Sequence, residues 1–199
     1  GEKIGIVGAV TTDTPEIASP GPNIAIEDDV ATITAEVEKL QAQGINKIIA
    51  VTHVGFAQDQ EIASNVPGVD VVVGGHSHSL LSNTDEGAAG GYPTLIDGVD
   101  GNEVPVVTAY AYGKYLGEIA VTWDAEGNVV SAEGAPVLID ASVTPNEEYA
   151  ARLAELEEPL QELMAEVIGT TTAPIEGSRE VCRVEECSMG NLVADAILD

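Results

Sequence analysis

The chain has three histidines, and two of them stand in Val69-Asp70-Val71-Val72-Val73-Gly74-Gly75-His76-Ser77-His78. The β-branched run reads as a buried strand, and the two glycines free the backbone for a sharp exit. Imidazole is the commonest metal ligand, so a pair of them just past a strand's end points to metal chemistry. Residues two apart in an extended segment project to the same side, which lets His76 and His78 face one cavity from slightly different positions. Paired catalytic ions lie roughly 3.5 to 4 Å apart, a separation that side chains of one short loop can serve. One loop cannot finish such a site. The third histidine, His53, closes a second apolar run, Ile45 to Thr52, and is followed by Gly55.

The elements that must position these residues alternate. Ile4 to Val10 reads as a strand, and residues 11 to 27, with Pro15, Pro20, Gly21 and Pro22, as loop. From Asp28, Val30, Ile33, Val37 and Leu40 repeat at helical spacing, with acids in the first turn and Gly44 as the stop. Ile45 to Thr52 is then a strand, Gln58 to Asn65 a short helix, and Val69 to Val73 a strand. This order predicts an α/β fold with a mostly parallel sheet, whose ligands bind outside the carboxyl ends of the strands. All three histidines fall at two such ends, so His53, His76 and His78 are expected to converge on one cavity. Residues 79 to 103 read as loop. Val104 to Ala111, Leu116 to Trp123 and Val129 to Ile139 read as strands, the last two joined by a turn at 124–128, which adds an antiparallel piece. Tyr110, Tyr112 and Tyr115 either line a pocket or pack at a strand bend, and the bend is the plainer reading.

Composition narrows the function. Of 199 residues, 44% are hydrophobic, enough for a core, and no apolar run approaches the roughly 18 residues that span a bilayer. Lys and Arg number 7 against 34 Asp and Glu, a net charge of −27 that repels nucleic-acid polymers and anionic membranes. A solvated acidic surface, as in proteins of saline or extracellular settings, accounts for it. The carboxylate-rich stretch 97–103 lacks the alternating oxygen ligands and distant Glu of a helix-loop-helix calcium site.

Residues 145 to 168 form a different region, in which Leu153, Leu156, Leu160, Leu163 and Val167 make a helical stripe amid seven glutamates. An exposed helix joining two bodies fits this pattern, with a kink at Pro159 or a second helix starting there. Thr170 to Ile175 reads as β-like, and Cys182 and Cys187 follow with four residues between them. A zinc site would need two more ligands close by, so a local disulfide, and with it an oxidising compartment, is the simpler reading. Gly1-Glu2-Lys3 reads as no natural start, and Asn191 to Asp199 as a helix that opens without a capping stop, so the sequence is expected to be cut at both ends.

Three motifs in order, Thr52-His53-Val-Gly55, Gly74-Gly-His-Ser-His78 and Tyr112-Gly-Lys-Tyr-Leu-Gly117, resemble the calcineurin-like metallophosphoesterase domain of 5′-nucleotidases and UDP-sugar hydrolases. The tail, Cys182-Arg-x-x-Glu-Cys187-x-Met-Gly-Asn-Leu-Val-x-Asp195-Ala, resembles the opening of that family's C-terminal, substrate-binding domain. It is most similar to the ecto-5′-nucleotidases of animals, in which the two matching cysteines form a disulfide. The resemblance implies the second half of an αββα sandwich over residues 1–144, a linker helix over 145–168 and the start of a second α/β domain over 169–199. It also implies His53 and His76 as ligands of one ion and His78 as a ligand of another, with two zinc or manganese ions acting on a nucleotide or related phosphate ester. An extracellular, periplasmic or cell-surface location goes with it. No oligomer is specified.

The family's Asp-x-His, Gly-Asp and Gly-Asn-His motifs, which carry a bridging aspartate, an asparagine ligand and the catalytic histidine, are not among these residues. The resemblance therefore places that histidine upstream of Gly1 and the nucleobase-stacking aromatics beyond Asp199, and makes these residues alone an incomplete enzyme. Two alternatives stand beside this reading. One is a 2′,3′-cyclic-nucleotide phosphodiesterase/3′-nucleotidase of the same superfamily; the other is a non-catalytic acidic secreted module that binds a structural ion.

Overall fold

The structure is a computed structural model that describes residues 1–167 and 169–198. It divides into two compact units, Gly1–Val143 and Thr144–Asp199. Ile168 and Asp199, which end the linker helix and the second domain expected from the sequence, lie outside the described residues.

The first unit is built on a five-stranded sheet. Strands β1 (Gly5–Val10), β2 (Ile48–His53), β3 (Val71–Val73) and β5 (Glu103–Val107) run parallel, and β4 (Thr94–Asp97) pairs antiparallel with β5, giving the order β1-β2-β3-β5-β4. The parallel part follows from its crossovers. Helix α2 (Asp29–Gln41) connects β1 to β2 and α3 (Phe56–Asn65) connects β2 to β3. Asp28 caps α2 by accepting from the Ala31 N–H at 2.8 Å, and the apolar stripe buries Ile33 and Val37 to 1% exposure. With Val7, Ile48, Ala50, Ile62, Val72 and Val106 these side chains form the main core. Full burial of each valine or isoleucine among them contributes about 1.5 to 3 kcal/mol.

One face of β1 and β2 is left open. The alternation that buries Val7, Ile48, Ala50 and Thr52 exposes Ile6 (68%), Val10 (52%) and Val51 (49%) on the other side, and His53 shares that exposed face.

The remaining strands, β6 (Tyr115–Trp123) and β7 (Val129–Leu138), form a hairpin. Its turn is closed by Asp124, which accepts from the N–H groups of Glu126 and Asn128, and by Gly127 at φ 97°. Tyr92, only 2% exposed, packs with Leu81 and Val107 in a second small cluster that Ile119 of β6 joins.

Two expectations for this unit need correction. Residues 79–103 are not all loop, because Thr94–Asp97 is an edge strand too short and too solvated to show an apolar pattern. Residues 11–27 contain one helical turn, α1 (Thr14–Ile17), started by Pro15.

In the second unit, α4 (Glu147–Ala165) is capped by Asn146, which accepts from the Glu148 and Tyr149 N–H groups. Pro159 lies inside this single helix rather than opening a second one. Leu153, Leu156, Leu160 and Leu163 are all more than half exposed. Thr170 to Ile175 forms no strand, again unlike the sequence expectation. After α5 (Arg179–Cys182), Cys182 and Cys187 are joined in a disulfide with 5.2 Å between Cα atoms, and α6 (Ser188–Leu198) follows.

Candidate functional site

The carboxyl ends of β2 and β3 lie side by side because the two strands pair in parallel, Ile49 with Val71 and Val51 with Val73. His53 is the last residue of β2, and His76 follows β3 by three residues. Their imidazoles meet edge to face with ring centroids 5.0 Å apart, although the residues are 23 positions apart in sequence. Gly75, between β3 and His76, and Gly55, just after His53, sit at this contact. A Cβ on Gly75 would stand 3.2 Å from His53 Nδ1, and one on Gly55 would stand 3.7 Å from His76 Cδ2, so each imidazole packs against the glycine of the other loop. The Ser77 hydroxyl accepts from the Phe56 N–H at 3.0 Å, tying the His76 loop to the start of α3.

His78 does not complete a triad. Its ring lies edge to face with Tyr112 at 5.1 Å, and it lines a cavity of about 400 Å³ together with Ser79, Asp85, Tyr110, Lys114 and Tyr115. Among the described residues no three His, Cys, Asp or Glu side chains are grouped so as to hold a metal ion. Of the three histidines expected to converge on one cavity, the structure sets His53 and His76 side by side and places His78 against Tyr112 and the cavity.

The backbone of this region is unusual. Among the described residues, the non-glycine positions with positive φ are His76 (78°), His78 (54°), Tyr110 (63°) and Tyr112 (58°). All four lie in the two loops that leave the carboxyl ends of neighbouring strands β3 and β5. A left-handed conformation costs a bulky residue of order 1 kcal/mol or more, and such strain clusters where side-chain placement matters. The loops are bonded to each other, the Tyr110 N–H donating to the Ser79 carbonyl at 3.1 Å.

Beneath the histidine loops lies a group not anticipated from the sequence. Asp59 of α3 is fully buried and accepts from the Thr52 hydroxyl through Oδ1, while Oδ2 has no hydrogen-bond partner. Burial pushes its pKa up to about 6; the Thr52 bond opposes the rise and the nearby Asp29 adds to it. A signal for it exists: Phe56, Asp59, Ile62 and Ala63 share a helical face, which puts an acid on the stripe that packs inward. Of the two readings open for the tyrosines, a pocket wall or packing at a bend, Tyr110 and Tyr115 match the first, since both line the cavity.

Comparison with known proteins gives this geometry a context. Over 99% of its length the chain is 41% identical to a snake venom 5′-nucleotidase of Crotalus adamanteus, covering 34% of that protein. A human 5′-nucleotidase is 41% identical over the whole chain, which covers 35% of it. The crystal structure of a 5′-nucleotidase precursor from Thermus thermophilus superposes on the entire chain with a TM-score of 0.87 at 37% identity, and the chain covers 40% of it. The chain is a homologue of part of the 5′-nucleotidases. It spans about a third of the length of these two curated 5′-nucleotidases. No protein-family model matches it. The two imidazoles, the strained loops and the cavity all lie in the unit Gly1–Val143 of this 5′-nucleotidase homologue.

Proposed function

We propose that the chain is part of a metal-dependent hydrolase that releases phosphate from nucleotides, with His53, His76 and His78 as its contribution to a two-metal centre. The observation that carries this is the His53–His76 pair, set 5.0 Å apart at the carboxyl ends of adjacent parallel strands. The relatives named 5′-nucleotidase supply the substrate class.

The residues fit a metal in part. Two neutral imidazoles side by side can share one ion, and His78 is placed two residues further along the same loop for a second. Zinc or manganese bound there would polarise a phosphate ester and lower the pKa of a bound water. Histidines bring no negative charge, and two close divalent ions need carboxylates to offset their repulsion. The Asp-x-His, Gly-Asp and Gly-Asn-His motifs that carry such ligands and the catalytic histidine in the family the chain resembles are not among these 199 residues. On the same reading residues 1–144 belong to the metal-binding domain, 145–168 to an interdomain helix and 169–199 to a substrate-binding domain. The Cys182–Cys187 disulfide and the acidic surface support an extracellular, periplasmic or cell-surface location. No helix among the described residues is long and apolar enough to cross a membrane.

The test is metal-dependent phosphate release from AMP, measured for this chain and for the chain extended to the length of its relatives, each beside a His76→Ala variant. The extended protein should turn over and lose turnover with His76→Ala; the 199-residue chain should match its own His76→Ala control. Robust His76-dependent turnover by the short chain would show that a complete site lies within it. Turnover by the extended protein that survives His76→Ala would remove the histidine from the site.

A further inference from the structure

The loop after β5 carries a cation that the metal-centre reading does not use. Lys114 Nζ stands 5.5 Å from the ring centroids of both Tyr110 and Tyr115, whose rings meet edge to face at 6.1 Å. Among the described residues Lys39, Lys47 and Arg152 each pair with a glutamate, whereas Lys114, like Lys3 and Arg183, enters no ion pair in a chain with 34 acids; of these three, Lys114 alone lines this cavity. Aromatic faces hold an ammonium without supplying an acceptor lone pair, so its N–H donors stay free for a ligand. Its backbone is fixed at the same time, the Lys114 carbonyl accepting from the Ile139 N–H at 2.9 Å.

The cavity of about 400 Å³ that Lys114 lines also takes His78, Tyr110 and Tyr115 into its wall, and is large enough for a nucleotide-sized group. Asp85 is the acid in that wall, and its Oδ1 is engaged by the Gly87 N–H at 2.8 Å. On a surface of net charge −27, an unpaired ammonium in a recess is where a multivalent anion can be received.

We propose that Lys114 forms an anion subsite, held by Tyr110 and Tyr115, that receives a phosphate group in the cavity it shares with His78. Its part in turnover rests on the hydrolase reading above; its affinity for phosphate does not. The phosphate would be either a second one on the substrate, beside the scissile ester, or the free phosphate released.

The test is titration of inorganic phosphate and pyrophosphate into the chelator-treated 199-residue chain at low ionic strength, followed by calorimetry. Lys114→Ala should weaken binding by about tenfold or more, the loss of one charge-assisted contact. Lys114→Arg should hold it within about threefold, since the charge is kept, and Lys39→Ala should leave it unchanged. Lys114→Met retains the stem over the rings and replaces the alanine variant should that one fail to fold. A pyrophosphate preference that disappears with Lys114 assigns the subsite to a second substrate phosphate; equal affinity for the two assigns it to released phosphate. Binding that is the same in Lys114→Ala and the parent, or absent from both, overturns the proposal. Because no metal is present in this titration, failure of His76-dependent hydrolysis and failure of the subsite are read separately.

Discussion

Gly74 passes directly over the buried carboxylate of Asp59, so closely that a Cβ at position 74 would collide with Oδ2. The contact joins α3 to the first residue of the loop that carries His76, and it depends on an absent side chain as much as on a present one. Gly74→Ala should therefore destabilise the first unit by about 1 to 3 kcal/mol, the usual cost of overpacking. Urea unfolding measures it. Asp59→Ala in the same chain should recover part of the loss, with a coupling of about 0.5 kcal/mol or more; strictly additive effects would show that the two residues do not meet.

Asp59 also predicts a dependence on pH. Its pKa is raised to about 6 by burial, against 3.8 for a free aspartate, so the folded chain holds this proton more tightly than the unfolded one. Its contribution to stability is therefore present below about pH 4 and is lost as pH rises through about 6. Asp59→Asn removes the titration while keeping an acceptor for Thr52. The variant should unfold at higher urea than the parent at about pH 8 and show no such advantage at about pH 4, and an advantage equal at both values would refute the assignment. Asp70, likewise pushed up to about 6 by burial, titrates in both proteins and cancels in the difference.

Tyr112 is 79% exposed and held at φ 58°. Replacing it by glycine relieves the left-handed strain and removes little burial, so Tyr112→Gly should stabilise the chain by up to about 1 kcal/mol. Thermal unfolding checks this. A lowered midpoint would mean that the contact with the His78 ring outweighs the strain.

These features differ in how far the sequence reveals them. The β-α-β alternation is legible because Val30, Ile33, Val37 and Leu40 repeat at helical spacing between two β-branched runs, and that alternation alone puts His53 and His76 at strand ends. Thr94–Asp97 is not legible, since an edge strand of four residues gains its order from pairing with β5 rather than from its own pattern. The reverse error at Thr170–Ile175 has the same root: β-branched residues favour a strand only where a partner exists. The turn of His78 towards Tyr112 depends on positive φ at both residues, which side-chain type alone does not announce.

The disulfide gives a prediction for the second unit. Thiol titration of unfolded, non-reduced protein should find no free cysteine, as Cys182 and Cys187 are joined. Closing so short a loop stabilises by about 2 kcal/mol in the chain-entropy view, so Cys182→Ala with Cys187→Ala should cost about that much or less. Two reactive thiols in protein secreted by its own host would count against an extracellular location.

The seating of His53 against Gly75 sets a rule for inheritance. While the imidazole is present, a Cβ at 75 would stand 3.2 Å from Nδ1, closer than ordinary contact, so a side chain there is favoured only if the imidazole shifts by a few tenths of an ångström. Once a lineage loses the histidine, that crowding ends and the glycine is free to drift. Gly55 differs, because its φ of 97° demands glycine whatever becomes of His76. Descendants of this arrangement that have abandoned the histidine pair should thus keep the equivalent of Gly55 and fill the equivalent of Gly75, a molecular fossil of the lost site.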